Sequence, residues 1–319
     1  MTISVTGPGV TAIAVRVTVK ANHVVVCMAH LASQVRLRST VAMLDDAQRA
    51  AYHRDGFLIL PGFVDPAAIA GLRARAEQII DDFDPADSRV FTTTNQDANV
   101  DRWFLDSADT VRCFLEPDAR DPDGRLRRDK RLSVNKIGHA LHDRDPVFNA
   151  FSRTPALAAL AADLGLARPL IWQSQYICKQ PGIGAEVRWH QDATFFVTTP
   201  ITVTTFWFAL EGATRDNGCL WAEPGGHRGP LREKFERHGD TTRTEALDAT
   251  PWPTTETAVP LEVEAGALVV FGGLLPHYSA PNRSERSRHA YTLHVTDADA
   301  DYAATNWLRR RPDDFARGF

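Results

Sequence analysis

The second half of the chain consists of short strand-like segments, and this feature restricts the possible folds more than any other. Each segment is rich in Val, Thr, Ile or aromatic residues, and turns containing Pro, Gly or Asn separate them. The segments are residues 171–177, 201–210, 218–222, 261–263, 267–271 and 289–295. Helical patterns precede these segments, so we expect an α+β fold that consists mainly of β-strands. Its core would be a double-stranded β-helix (jelly roll, cupin-like) buttressed by N-terminal helices.

The preceding part of the chain has the capping residues and apolar spacing of helices. Helices are predicted at residues 44–53, from 66 to about 80, and at 146–164. A buried strand is expected at 57–60, between the first two helices. Residues 84–130 are polar and rich in Asp and Arg, so we expect long loops with short strands there. One jelly-roll domain is therefore predicted over residues 43–319.

The N-terminal stretch differs from the rest in charge, because the first acidic residue of the chain is Asp45. Residues 1–42 have no clear helical apolar face, and we expect a poorly ordered extension outside the domain. An organellar targeting segment, or a true start at Met43, are the alternatives. The apolar runs here are shorter than the roughly 18 residues that a membrane span needs, so no span is expected.

Composition excludes some classes of function. The formal net charge of −4 makes an electrostatic nucleic-acid-binding protein an unfavourable interpretation. Four separated cysteines form no Cys-x-x-Cys pair, which argues against a disulfide scaffold and a zinc knuckle. We therefore expect a reducing, cytoplasmic setting and a small-molecule partner.

The segment from Trp189 to Asp192 carries the clearest chemical signal. In an extended chain, His190 and Asp192 point to the same side and can reach one metal ion. His277, which follows an apolar strand and a Gly-Gly break, is the leading candidate for a third ligand. Two histidines and one carboxylate on a β scaffold make the facial triad of non-haem Fe(II) oxygenases.

A basic residue follows His277 at a suggestive distance. A Pro-Asn turn and a returning strand would bring Arg288 back beside His277. On that strand Arg288, Thr292 and His294 would share one face. A guanidinium fixed in the mouth of a barrel suits the distal carboxylate of a dicarboxylic cosubstrate. A surface arginine in a basic turn is the alternative interpretation.

These residues, together with the segments around them, resemble the phytanoyl-CoA dioxygenase family of Fe(II)/2-oxoglutarate oxygenases. The similarity covers about residues 44–310. Within the family, the chain most resembles the phytanoyl-CoA dioxygenase domain-containing protein 1 type. The segments that carry it are residues 133–141 (SVNKIGHAL), 179–184 (KQPGIG), 189–192 (WHQD), 217–221 (NGCLW) and 224–227 (PGGH). Gly226 stands where the family usually has Ser, so a substrate-facing role for His227 is no better supported than a structural one.

The resemblance implies a set of roles. His190, Asp192 and His277 would bind Fe(II), and Arg288 with Ser279 would hold 2-oxoglutarate. The residues that would line the cosubstrate pocket are Lys136, Gln175 and Trp207. Gln175 stands where the family often has Met. Asp192 implies hydroxylation rather than halogenation, since related halogenases lack this carboxylate. O₂ would be consumed, succinate and CO₂ released, and ascorbate would serve as reductant.

Two other functions use the same residues. The first is a jelly-roll protein that binds metal and 2-oxoglutarate without turnover. The second is a metal-dependent hydrolase that uses the triad with zinc, which would leave Arg288 without a purpose. An acyl-CoA is one candidate substrate. However, the basic residues between 125 and 131 are better interpreted as a solvated loop than as a CoA phosphate site.

Overall fold

The computed structural model describes residues 42–91 and 102–319. The α-helices in these ranges are α1 (Asp46–Asp55), α2 (Pro66–Asp82), α3 (Arg102–Leu105), α4 (Leu141–Arg144), α5 (Pro146–Ser152) and α6 (Pro155–Asp163). The strands are β1 (Phe57–Leu60), β2 (Arg89–Val90), β3 (Val111–Leu115), β4 (Val134–His139), β5 (Pro169–Ile177), β6 (Val187–His190), β7 (Thr198–Thr199), β8 (Thr204–Ala209), β9 (Leu220–Ala222), β10 (Glu233–His238), β11 (Thr241–Ala246), β12 (Val259–Leu261), β13 (Leu268–Gly272), β14 (His277–Ser279), β15 (Ala290–Asp297) and β16 (Asp301–Tyr302).

Two sheets form the centre of the fold. The larger has eight strands in the order β1-β13-β8-β15-β5-β4-β3-β2, and the smaller has the order β12-β9-β14-β6. Neighbouring strands are antiparallel, except that β2 and β3 run parallel. Side chains of β4, β5, β8 and β15 from the larger sheet and of β6, β9 and β14 from the smaller line one cavity. The cavity therefore lies between the sheets, as a jelly roll requires.

Helices cover the outer face of the larger sheet. Side chains along each strand alternate between this face, which is apolar, and the face that lines the cavity. On β15, Tyr291 and Leu293 belong to the main apolar core, whereas Thr292 and His294 line the cavity. The core residues that the helices contribute are Leu72, Ala76 and Ile80 of α2, Phe148 of α5, and Leu157, Leu160 and Ala161 of α6. The predicted β core buttressed by helices is confirmed.

The predicted helix over 146–164 is wrong in one respect, since the structure divides it into α5 and α6. Pro155 has no N–H, so it cannot continue the hydrogen-bond ladder of a preceding helix and instead suits the first turn of a new one. The Thr154 hydroxyl accepts a hydrogen bond from the Leu157 N–H and caps α6. The helix is therefore interrupted by local residues, Thr154 and Pro155, that are visible in the sequence.

The connection from His277 to Arg288 also differs from the prediction. β14 lies in the smaller sheet and β15 in the larger one, so the chain changes sheets between them. Arg288 therefore comes to lie beside Ser279, at 3.3 Å from its guanidinium Nη2 to the Ser279 hydroxyl, rather than opposite His277 in a hairpin. This change of sheet places Arg288 deep between the two layers.

The C-terminal segment is held by a buried charge cluster. The side chain of Asp143 in α4 is 1% exposed and accepts from Arg153, Arg310 and Arg317 at 2.6 to 2.7 Å. Arg310 also donates to the Trp172 carbonyl. These contacts tie the chain after β16 to α4 and β5.

Among the helices of the described ranges, none combines the length and apolar content needed to cross a bilayer. The predicted N-terminal extension lies outside the described residues, except for Ala42.

Candidate active site

Three possible metal ligands meet at one end of the cavity. His190 ends β6, His277 begins β14, and the two are partners across that strand pair. Gln191 is extended, which turns Asp192 to the same side as His190. One ligand atom from each of the three residues lies within 4.8 Å of the other two. The Asp192 Oδ1 atom is 3.5 Å from His190 Nε2 and 3.8 Å from His277 Nε2.

Main-chain carbonyls set which nitrogen of each imidazole faces this centre. His190 Nδ1 lies 2.8 Å from the Arg188 carbonyl, and His277 Nδ1 lies 3.0 Å from the Leu275 carbonyl. A carbonyl only accepts, so each Nδ1 carries the proton and each Nε2 presents a lone pair to the centre. Burial lowers the pKa of His277 to about 4, which keeps this imidazole neutral at pH 7.

The carboxylate of Asp192 is oriented by groups behind it. Its Oδ2 accepts a hydrogen bond from the Thr205 hydroxyl of β8, and His294 Nε2 lies 3.6 Å from the same oxygen. Burial alone would raise the pKa of Asp192, but His277 and His294 hold it well below the usual range. The carboxylate is therefore ionised, with Oδ1 left toward the histidines.

Two imidazole lone pairs and one ionised carboxylate, buried together, form a donor set that suits a divalent iron ion. Distances of 3.5 to 3.8 Å between these donors are too long for good hydrogen bonds, so the atoms do not satisfy one another. These three side chains are the ligand types of the two-histidine, one-carboxylate triad.

A buried cation lies farther along the same cavity. Arg288 is 1% exposed, and its Nε donates to the Gly218 carbonyl at 3.1 Å. Its Nη1 is buried and has no hydrogen-bond partner among residues 42–91 and 102–319. The guanidinium carbon lies 5.3 Å from the Trp207 ring centre, and the Trp207 N–H likewise lacks a partner in the part of the chain that the structure describes. Burial lowers the pKa of Arg288 to about 10, so it remains charged and one of its donor groups is left for an anion.

Lys136 and Gln175 also line this cavity. Lys136, on β4, places its Nζ 3.3 Å from the Phe91 ring centre, and burial holds its pKa well below the usual range. Gln175, on β5, donates from Nε2 to Gln173 Oε1 at 2.5 Å. The structure thus brings every predicted site residue to one cavity of about 170 Å³.

Aromatic side chains form part of the cavity wall, and one of them lies beside the triad. Phe195 lies 5.9 Å from the His190 ring and 5.7 Å from Phe235, measured between ring centres. Phe104 stacks on Trp307 at 4.4 Å. These four rings come from distant parts of the chain, so the wall is an apolar surface that sequence spacing does not reveal.

Sequence reasoning missed the residues behind Asp192. His294 had a usable signal, because the alternation of an extended chain puts it on the same face as Arg288 and Thr292. Thr205 had none beyond its place in an apolar strand. His227 lies elsewhere, with its ring against Gly56 at the end of α1, and it is not among the residues that line the cavity.

The basic segment near residue 130 is occupied by local contacts. Arg131 pairs with Glu77 and Asp81 of α2, and Lys130 Nζ donates to the Asp81 and Phe83 carbonyls. Arg128 donates to the Pro181 carbonyl. This agrees with a surface loop rather than a preformed phosphate site.

Comparisons with known proteins agree with this site. The family model described as phytanoyl-CoA dioxygenase (PhyH) matches residues 52–290. A phytanoyl-CoA dioxygenase of Arabidopsis thaliana is 43% identical over 262 residues, covering 81% of this chain and 91% of the plant protein. The phytanoyl-CoA dioxygenase domain-containing protein 1 of Mus musculus is 38% identical, covering 86% of this chain and 97% of the mouse protein.

Solved structures share the fold. The non-heme α-ketoglutarate-dependent epimerase SnoN from nogalamycin biosynthesis aligns with a TM-score of 0.56 at 17% identity, covering 84% of this chain and 89% of its own. EctD from S. alaskensis, in its apo form, aligns with a TM-score of 0.57 at 20% identity, covering 87% and 85%. The family resemblance inferred from the motifs is confirmed: the chain belongs to the phytanoyl-CoA dioxygenase family and is an Fe(II)- and 2-oxoglutarate-dependent dioxygenase.

Proposed function

We propose that the protein hydroxylates a C–H bond of a small molecule, consuming O₂ and releasing succinate and CO₂, with ascorbate as the supporting reductant. The observation that carries this proposal is one cavity that holds both the triad and the unpartnered Nη1 of Arg288. A zinc hydrolase would need the triad but not a buried guanidinium aimed into the cavity.

In this proposal His190, Asp192 and His277 hold the iron through two Nε2 atoms and Oδ1. Arg288 and Ser279 hold the distal carboxylate of 2-oxoglutarate. Lys136, Gln175 and Trp207 line the rest of the cosubstrate pocket. When bound, the iron and the cosubstrate supply the oxidising chemistry. The chain supplies orientation, charge and exclusion of water.

Two features of the chain bear on the outcome of the reaction. Asp192 provides a carboxylate where a halogenase needs room for a halide, which supports hydroxylation. Four aromatic side chains, Phe195, Phe235, Phe104 and Trp307, line the cavity and would reduce the access of water to the triad. That wall suits an apolar reacting group.

A small free substrate is better supported than an acyl-CoA. The basic residues that could have bound CoA phosphates are engaged with α2 and with backbone carbonyls. The free, buried thiols of Cys113, Cys178 and Cys219 support a reducing compartment such as the cytoplasm.

The Arg288→Met substitution tests the cosubstrate site. Removing a buried guanidinium takes away charge-assisted hydrogen bonds, so we expect the Kd for 2-oxoglutarate to rise about 100-fold. The Kd for Fe(II) should stay within about twofold, because Arg288 is not among the triad. Anaerobic calorimetry measures both constants, with Fe(II) titrated into the metal-free protein and 2-oxoglutarate titrated into the Fe(II)-loaded protein.

Wild-type protein that fails to bind 2-oxoglutarate in this experiment would refute the proposal. Equal losses of iron and cosubstrate affinity in the variant would indicate a folding defect instead. Substrate-stimulated formation of succinate then separates an enzyme from a binding protein without turnover.

Thr205→Val tests the group that orients Asp192. The substitution keeps the shape of the side chain and removes the hydroxyl that donates to Oδ2. Groups that orient metal ligands contribute about 10- to 100-fold in metal affinity, so we expect a loss of about 10-fold in Fe(II) affinity. Competition with a chelating dye measures the constant.

The matched control is Thr204→Val, the preceding residue on β8, whose side chain points to the opposite face. Its Fe(II) affinity should equal that of the wild type. If Thr205→Val also binds iron as tightly as the wild type, the hydroxyl does not orient the carboxylate.

A further inference from the structure

A second buried cation lies beside Arg288 and has no assigned role. Lys179 is 2% exposed, lines the same cavity and follows β5 by two residues. Its φ of 41° is in the left-handed region, which a non-glycine residue adopts only when its surroundings hold it there. Its Nζ donates to the Ala185 carbonyl at 2.6 Å and to the Ser279 carbonyl at 3.4 Å.

No carboxylate in residues 42–91 or 102–319 forms an ion pair with Lys179 or with Arg288. The charges of two nearby acids, Glu116 and Glu186, favour the charged form of Lys179. The Oε2 atom of Glu116 accepts from the Asn135 amide and from the Ala185 N–H. Burial raises the pKa of Glu116. Within the described residues, the two cations therefore lack a directly bonded anion.

Gly218 and Ser279 bring the two cations together. The Gly218 carbonyl accepts from both Arg288 Nε and the Ser279 hydroxyl. A Cβ on Gly218 would stand 2.6 Å from Lys179 Cε, so the lysine side chain passes directly against this glycine. Burial lowers the pKa of Lys179, and the positive charge of Arg288 lowers it further. Both cations thus border the same end of the cavity.

Burying two like charges side by side is unfavourable unless an anion shares them. We propose that Lys179 contributes, with Arg288, to binding the distal carboxylate of 2-oxoglutarate. This inference rests on the proposed function, and it makes Lys179 a cosubstrate-binding residue in addition to those that the motifs indicated. The third N–H of its ammonium group, beyond those directed to Ala185 and Ser279, is the donor for that carboxylate.

The test combines a change in the protein with a change in the ligand. Lys179→Met removes the charge, and 2-oxopentanoate is the same five-carbon 2-oxo acid without the distal carboxylate. We expect the variant to raise the Kd of 2-oxoglutarate about 10- to 100-fold. The Kd of 2-oxopentanoate should change by less than about twofold, because the contact is already absent. Anaerobic titrations of Fe(II)-loaded protein measure both.

Two further lysine variants isolate the charge. Lys179→Gln keeps a donor for the Ala185 carbonyl and should lose 2-oxoglutarate affinity as Lys179→Met does. Lys130→Met removes a lysine that also donates to two backbone carbonyls, but at the surface, and it should bind 2-oxoglutarate like the wild type. Thermal unfolding of each metal-free variant checks that the protein is folded. If Lys179→Met is unfolded, the comparison of the two ligands is made with Lys179→Gln.

Equal weakening of both ligands would show that Lys179 only supports the local backbone, and this would overturn the inference. Unchanged 2-oxoglutarate affinity in Lys179→Met and Lys179→Gln would overturn it as well. Arg288→Met, measured in the same way, keeps the two proposals apart. If that variant also binds 2-oxoglutarate normally, the proposed cosubstrate site itself is wrong.

Discussion

Asp192→Ala is expected to abolish catalysis, with succinate formation falling about 1000-fold or more. The carboxylate is the single anionic member of the triad, and a bound metal contributes several kcal/mol to catalysis, each 1.4 kcal/mol being a factor of ten in rate. Fe(II) affinity should fall as well, since Asp192 Oδ1 faces both histidine Nε2 atoms. Succinate assays and metal titrations on the purified variant measure the two effects.

The fold should survive this substitution, because Asp192 lines the cavity rather than the apolar core and its removal leaves no arginine or lysine without an ion-pair partner. The Tm of the metal-free protein should therefore stay within a few degrees of the wild type. Asp301→Ala, an exposed acid on β16, is the control and should retain full activity. Wild-type turnover by Asp192→Ala would remove Asp192 from the proposed iron site.

Asp143→Ala is expected to be the most destabilising of the substitutions considered. It would leave Arg153, Arg310 and Arg317 without the carboxylate that they share. The Asp143 side chain is 1% exposed, so water cannot easily replace it. Breaking a buried ion pair typically costs about 3–5 kcal/mol. In a domain of this size such a loss lowers Tm by roughly 10 °C. Urea and thermal unfolding measure the change.

Asp299→Ala is the matched control, because its pair with Arg168 is exposed and such pairs contribute about 0–1 kcal/mol. Although burial opposes it, contact with His142 and the arginines lowers the pKa of Asp143. The contribution of Asp143 is therefore complete above its unfolded pKa of about 4 and is lost as the pH falls below that value. A variant within about 0.5 kcal/mol of the wild type at pH 7 would contradict the role assigned to the cluster.

Local signals in the sequence predicted much of the fold. Asp65 marks a helix start by capping chemistry, and the structure places it at the N-cap of α2. The helix predicted at 44–53 is present as Asp46–Asp55, two residues later, with Asp45 as its N-cap and Gly56 as its C-cap. The spacing of His190 and Asp192 predicts their common direction because it depends on one extended residue between them. These features depend on neighbours in the chain, so sequence alone can reveal them.

Other features depend on contacts between distant segments. The hairpin of β10 and β11 was not predicted, since its strands are largely polar and Phe235 is among the few apolar side chains they bury. The change of sheet between Ser279 and Arg288 has no local signature. Trp307 reaches the cavity because the buried cluster around Asp143 holds the C-terminal segment, and that arrangement is visible only in three dimensions.

The carbonyls of Arg188 and Leu275 have a consequence for how this family can vary. Each belongs to the main chain two residues before the histidine that it orients. Substitution of either side chain leaves the carbonyl in place. Most mutations at these two positions therefore do not change which nitrogen of the imidazole carries the proton. Evolution can therefore change the side chain at 188, at the edge of the cavity, and so alter what the protein accepts without disturbing the donor atoms of the metal centre.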